Sequence, residues 1–309
     1  MKHCPLCRTV GCSRLERHLN DIALLKCGSC GFVYADLPDE LVLRANSTYD
    51  DETEDRYSRQ QTFLDDMWFQ RIAVRFTERL GPRSVLDVGC GNGRLLRAFR
   101  CLGWECYGVD ISPWSAKFAD RYGFEFYSGS IEDSALQFGE FDLVVSSSTL
   151  EHIAQPVRHV QAIAQALKPG GSAYFCGMPN YASLSVRLGL STFHSNFPPG
   201  HVNFFTAETL AKLFQFTGVS LQKAAVRTYG VPELHRVYRG LVHVIRVRHV
   251  SAPRDAHVRN PSLPCDSAGE PGSLKRALAR LLLNVFYHCG RVGRVGDKLE
   301  ALIIMGEGQ

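Results

Sequence analysis

From Ser84 onward the chain alternates short apolar runs with segments whose apolar residues recur at helical spacing. Ser84–Val88 reads as a buried strand and Gly93–Leu102 as a helix. Glu105–Val109 is the next strand, Pro113–Tyr122 a helix and Phe124–Tyr127 a third strand. Phe141–Ser146 is a fourth strand, Val157–Leu167 a helix and Ser172–Cys176 a fifth strand. Continuous apolar strands separated by amphipathic helices predict an α/β fold: a doubly wound, mostly parallel sheet covered on both faces.

The pattern changes on either side of this block. Residues 1–40 carry two cysteine pairs and little regular periodicity, and residues 41–80 look helical and polar. After Pro179 comes a loop rich in Pro, Asn, His and Gly, through Val202. Thr206 then fits an N-cap, the helix runs to about Thr217, and Gly218 fits its C′ position. Val219–Arg227 and Leu299–Met305 read as a sixth and a seventh strand, the seventh returning to pair inside the sheet. Between them, Leu234–Ile245 and Leu274–Cys289 have apolar residues at helical spacing. The expected organisation is a knob over 1–40, a helical linker or cap over 41–80, a core over 81–227 and 297–309, and a helical insertion over 228–296.

Composition adds little until it is resolved along the chain. The apolar fraction of 45% and charged fraction of 21% are those of an ordinary globular protein. A formal charge of +4 gives no general reason to expect a nucleic-acid partner. Between Arg227 and Lys298, however, 13 Lys/Arg face 5 Asp/Glu, a net of +8. A basic C-terminal third points to an anionic or lipid-linked small-molecule acceptor, or to peripheral membrane contact through residues 228–296. The plain alternative is two helices packed on the core. No apolar stretch resembles a signal peptide or a membrane span, so a cytoplasmic location is expected. Eleven cysteines in a reducing compartment are more often metal ligands than disulfides.

Chemistry is concentrated at strand ends. The first strand ends in Asp87-Val-Gly89-Cys-Gly91-Asn-Gly93, and a helix begins at once. Such glycines permit a sharp turn and close approach of backbone to a ligand, beside the unpaired N–H groups of a helix start. The spacing is not the dinucleotide G-x-G-x-x-G. The second strand ends in Asp110, about 20 residues on, where a carboxylate accepts bonds from both hydroxyls of a ribose. Asp110 alternatively caps the turn at Ser112-Pro113.

In this order and spacing, DVGCGNG, GVDIS, FDLVVSSSTLEHI and LKPGGSAYF resemble class I S-adenosylmethionine-dependent methyltransferases. The resemblance covers Ser84–Phe175 closely and implies a seven-stranded, Rossmann-like methyltransferase fold. It further implies that Gly89, Gly91 and Gly93 shape the loop around the methionine part of the cofactor. Asp87 would orient the amino group, Asp110 would hold the ribose, and Ile111 would lie beside it. The family often has an acidic residue near the adenine amino group. Here Ser130 follows Gly129, leaving Ile131 to pack on the ring and Glu132 or Asp133 to reach its edge, with Asp133 preferred.

Methyl transfer from a sulfonium needs a positioned acceptor, excluded water and, for some acceptors, a base. Two histidines fit the base. His152 follows the fourth strand, and His201 lies in the loop after the fifth; Asn180 is a further candidate liner. For His152, structural support of its loop is an equal alternative. Leu-Glu-His also resembles the O-methyltransferases of ubiquinone synthesis, some of which bind magnesium through one Glu and a Glu-His pair. Ser148 stands three before Glu151, so that metal set is not expected here.

Cys4-Pro-Leu-Cys7 and Cys27-Gly-Ser-Cys30 form two C-x2-C knuckles, a strong signature of tetrahedral structural zinc. Cys12 and His18 are spare. A knob joined to this core resembles bacterial methyltransferases of sugar, cell-surface polysaccharide and secondary-metabolite pathways, in which Tyr57 would face the site. The expected function is methyl transfer to O or C of a small-molecule acceptor. Two alternatives stand beside it. One is an RNA base methyltransferase, since certain ribosomal RNA guanine methyltransferases also carry a zinc knob; SSSTLEH lacks the Asn/Asp-Pro-Pro-Tyr/Phe motif of exocyclic amino methylation. The other is a non-catalytic partner that keeps the fold.

Overall fold

The computed structural model describes residues 3–11, 13–19, 22–47, 63–133, 140–188, 200–229, 281 and 296–306. Tyr57, Cys12, the His18 side chain and nearly all of the insertion expected over 228–296 lie outside them. Two sheets are present among the described residues.

The larger sheet has seven strands. They are β4 (Ser84–Val88), β5 (Glu105–Asp110), β6 (Glu125–Ser128), β7 (Phe141–Ser147), β8 (Leu167–Pro179), β10 (Leu221–Tyr229) and β11 (Lys298–Met305). Their order is β10-β11-β8-β7-β4-β5-β6. β8, β7, β4, β5 and β6 run parallel, and β11 is antiparallel to both neighbours. The last strand therefore returns inside the sheet, as its apolar pattern predicts. The strand order reverses between β4 and β7, and ligands of open α/β sheets bind at the carboxyl edge beside such a switch point.

Successive strand residues point to opposite faces, and this divides the core in two. Leu86, Val88, Val144, Ala173 and Phe175 belong to one buried cluster. Val85, Leu143, Val145, Tyr174 and Cys176 belong to the other. Helices α5 (Pro156–Ala166) and, after the one-turn α6 (Leu184–Arg187), α7 (Ala207–Phe216) cover the first face with Val160, Ile163, Leu210 and Leu213. Helices α2 (Phe63–Leu80), α3 (Arg94–Arg100) and α4 (Ala116–Tyr122) cover the second with Ile72, Phe76, Leu95, Phe99 and Phe118. Each such side chain contributes about 1.5–3 kcal/mol on burial.

Element boundaries moved where local chemistry dictates. The helix predicted to reach Leu167 stops at Ala166. Leu167 already pairs with Phe141 across the sheet, and Pro169, two residues on, blocks helix continuation. The segment from Pro113 begins as a short 3₁₀ turn, Pro113–Ser115, and becomes α-helical at Ala116. At Thr206 the cap is reciprocal: Thr209 N donates to Thr206 Oγ1 (3.1 Å) and Thr206 N donates to Thr209 Oγ1 (2.9 Å). The Thr209 hydroxyl does what Glu does in the usual capping box.

The larger departure is at the N-terminus. Residues read as irregular form β1 (Ser13–Leu19), β2 (Ile22–Cys27) and β3 (Val33–Ala35), followed by helix α1 (Asp39–Ser47). A fourth strand, β9 (Asn203–Phe204), completes this antiparallel sheet in the order β1-β2-β3-β9. β9 comes from the loop that follows β8, so the knob and the core share a sheet.

Candidate functional site

β4 delivers the chain into the glycine turn. Gly89, Gly91 and Gly93 have φ of 76°, 49° and 66°, which disfavour any L side chain. They differ in surroundings. A Cβ on Gly89 would collide with the Thr149 side chain, and one on Gly93 with Phe124, whereas nothing lies within 4 Å of that position on Gly91. Gly89 N and Cys90 N donate to Val109 O (2.8 and 3.3 Å), which fastens the turn to the next strand. Thr149 Oγ1 donates to Val88 O (3.2 Å), holding the turn from the β7 side. Arg94, the first residue of α3, pairs with Asp66 of α2 at 2.7 Å.

Asp87 and Asp110 converge on this turn. Asp87 is 3% exposed, and its Oδ1 has no partner among the described residues. Burial first, and the Asp110 charge second, push its pKa up to about 8. A buried carboxylate in this state gains strongly from a cationic partner. Asp110 is raised too, through burial, although two backbone amides oppose the shift. Its Oδ2 accepts from Gly91 N and its Oδ1 from Ser112 N, both at 2.8 Å. Asp110 thus caps the turn, and each of its carboxylate oxygens keeps a further lone pair. Ile111 is half-buried beside it.

The two acidic candidates after β6 have separate partners. Glu132, one candidate for the adenine edge, instead pairs with His159 Nδ1 at 2.9 Å. Ser130 Oγ donates to Asp133 Oδ2 at 2.8 Å, so Ser130 and the exposed Asp133 act together. Ile131 is 7% exposed and sits in the same buried cluster as Val88 and Val109.

A second group of polar side chains meets at the same edge of the sheet. Glu151 and His152 lie in the 3₁₀ turn Leu150–His152 after β7. Glu151, His152 and His201 each bring a ligand-type atom within 4.8 Å of the others. The two imidazoles meet edge to face at 4.6 Å. His152 Nδ1 donates to Gly200 O at 3.0 Å. Burial, helped by the charges of His152 and Lys298, holds His201 down to about 2, so the ring is neutral. Burial also raises Glu151, whose Oε2 has no partner among the described residues. Asn180, expected as a liner, is 1% exposed and engaged elsewhere: it donates to Gly296 O (2.7 Å) and accepts from Ala182 N (3.0 Å). A cavity of about 340 Å³ near Arg83, Asp142 and Lys168 lies at the opposite, amino edge of the strands and is remote from both groups.

Sequence reasoning missed three residues here. Thr149 packs against the glycine turn. Asn46 of α1 donates to His152 O at 2.9 Å. Asn203 donates to Leu150 O (2.9 Å) and Ile153 O (2.6 Å). A Thr before Leu-Glu-His and an Asn two after His201 were visible, but nothing local says what they touch.

The four knob sulfurs all lie within 4.8 Å of one another. Cys4–Cys30 and Cys7–Cys27 are 3.7 and 3.6 Å apart, and no disulfide joins them. Tetrahedral thiolates about 2.3 Å from one zinc ion stand about 3.8 Å apart. The donor set and spacing therefore fit that ion.

Comparison with known proteins gives the family. The family described as "Methyltransferase domain" matches residues 60–224. "Ubiquinone biosynthesis O-methyltransferase" of Thiobacillus denitrificans is 31% identical over 185 residues, spanning 54% of this chain and 78% of that protein. The protein of the same name from Xanthomonas oryzae pv. oryzae is 38% identical over 102 residues, spanning 31% of this chain and 43% of its own. A solved structure described as a SAM-dependent methyltransferase, possible histamine N-methyltransferase, from Thermotoga maritima is 18% identical, with a TM-score of 0.49, and spans 82% of this chain and 96% of that one. Because the family match spans more than half of the chain and ends beyond α7, taking in the glycine turn, Asp110 and the two histidines, the chain belongs to the class I S-adenosylmethionine-dependent methyltransferases.

Proposed function

We propose that this methyltransferase transfers the methyl group to oxygen or carbon of a small-molecule acceptor at the carboxyl edge of the large sheet. Oxygen is favoured by the names of the relatives just described. The observation that carries the reading is the meeting, at one sheet edge, of a buried Asp87 with one unpartnered oxygen beside a glycine turn and of His152 and His201 in edge-to-face contact.

S-adenosylmethionine supplies a methyl group already activated as a sulfonium. The residues of this chain do the rest. Asp87 takes the cofactor's ammonium as the missing cation. Gly89, Gly91 and Gly93 let the backbone approach the methionine part, with Gly91 the most open of the three. Asp110 accepts from the ribose hydroxyls with its remaining lone pairs, and Ile111 packs beside it. Ile131 borders the adenine site and Asp133, tied to Ser130, reaches the amino edge.

On the acceptor side His201 receives the hydroxyl proton. Burial keeps this ring neutral, so a ring nitrogen has a lone pair to take that proton as the acceptor oxygen attacks the methyl carbon. His152, fixed by Gly200, orients the pair. Zinc at Cys4, Cys7, Cys27 and Cys30 is structural: four thiolates leave no open coordination position.

Two measurements test this. With a panel of catechol and sugar acceptors, His201→Ala should lower turnover by about 10²–10⁴-fold, the usual range for a lost acid–base group. Full activity in that variant removes His201 from the mechanism. Metal analysis of the purified chain should find about one zinc per chain, and a value far below that refutes the zinc assignment.

A further inference from the structure

The sheet shared between knob and core has a mechanical consequence. Residues 200–204 are held on two sides at once. On one side β9 pairs with β3, Tyr34 opposite Asn203 and Val33 opposite Phe204, and Ala35 N donates to Val202 O at 2.9 Å. On the other side Val202 N donates to Glu151 O (2.8 Å), and His152 Nδ1 donates to Gly200 O (3.0 Å). His201 therefore sits in a short ribbon between the cysteine sheet and the Leu150–His152 turn.

We propose that Asn203 is a positioning residue for His152 and His201, and that the four-cysteine sheet is the anchor it works from. Asn203 is 3% exposed. Its single Nδ2 donates to both Leu150 O and Ile153 O, the carbonyls that bracket Glu151 and His152. Its backbone belongs to β9. One residue thus sets the register of the turn carrying His152 against the ribbon carrying His201.

The anchor leads straight to the sulfurs. Phe32, fully buried, lies two residues after Cys30 and meets Tyr34 at 6.1 Å and Phe205 at 5.0 Å. Cys27 N donates to Phe32 O at 2.8 Å, so the Cys27–Cys30 knuckle closes directly onto β3. Lys212 of α7 reaches Cys30 O at 3.0 Å from the core side. An ion on the four sulfurs holds this knuckle, the knuckle holds β3, and β3 holds β9. The coupling is carried by hydrogen-bonded backbone between two sites with distinct chemistry.

The inference rests on reading the two histidines as the acceptor side. That reading fails separately, through unchanged methyl transfer in His201→Ala, whereas this one is read from the rings and the backbone. The experiment uses the full chain with S-adenosylmethionine, its imidazole signals assigned by His152→Gln and His201→Gln. Asn203→Ala should shift or broaden both imidazole signals and speed exchange of the Val202 amide by about 10-fold or more. It should leave ion content unchanged and cofactor affinity within about 2-fold. Stripping the ion from the unaltered protein with a chelator should move the same two imidazole signals. A purely structural Asn203 would lower the urea midpoint with both rings undisturbed, and that result overturns the proposal. If Asn203→Ala does not fold, chelation decides: signals from residues 3–35 that move while both imidazoles stay fixed overturn it equally.

Discussion

The two halves of the proposed site are built in opposite ways. The cofactor half is local: Asp87, the three glycines and Asp110 lie within two consecutive strands and one turn, paired in register from Ser84–Glu105 to Val88–Val109. The acceptor half draws on α1, the turn after β7, the ribbon at 200–204 and, through it, the cysteine sheet. Local construction makes a half that any chain with this strand pair reproduces. Distributed construction makes a half that changes whenever its remote supports change.

Gly89→Ala should strike the local half hardest. A methyl group there collides with Thr149 and sits at a φ of 76°. Strain and overlap together should cost about 2–4 kcal/mol of stability, visible in urea unfolding, and should abolish cofactor binding. Tolerance of alanine would mean that Thr149 does not lock the turn.

Asp87→Asn should separate stability from binding through pH. In the folded, cofactor-free chain Asp87 keeps its proton up to about pH 8, whereas an unfolded Asp releases it near about pH 4. Between those values the folded state holds more protons, so this carboxyl makes stability fall as pH rises, by at most about 1.4 kcal/mol per pH unit. The Asn variant should flatten that slope and melt higher than the parent at pH 8, yet lose affinity for S-adenosylmethionine. An unchanged slope would show that Asp87 ionises normally.

Thr206→Ala should have the smallest effect, about 1 kcal/mol for a lost N-cap. It removes one arm of the reciprocal cap on α7. Cofactor affinity should not change, and a change would mean that α7 is coupled to the local half.

Legibility in the sequence follows the same division. The parallel sheet was readable because Val85, Leu86, Leu143 and Val144 are apolar in unbroken runs, as strands buried on both faces require. The glycine turn and Asp110 were readable because their contacts span about 20 residues. The knob's cysteines were readable from spacing, but its strands were not. Ser13–Leu19 alternates charged residues with two leucines, and a three-residue strand such as β3 has too few positions to show a period. β9 has two residues, and its partner lies some 170 positions away. The roles of Asn46 and Asn203 exist only once those segments meet. The pairing of Glu132 with His159, which follows β7 in the chain, is hidden for the same reason.

The central claim is that the cofactor half works without the acceptor half. Titration of S-adenosylmethionine, followed by calorimetry, into Asp110→Ala and His201→Ala side by side tests it most directly. Losing charge-assisted bonds at Asp110, worth about 1.5–3 kcal/mol each, should weaken binding by about 100-fold or more. His201→Ala should stay within about 3-fold of the unaltered protein. Equal losses in the two variants, or none in Asp110→Ala, would contradict the account.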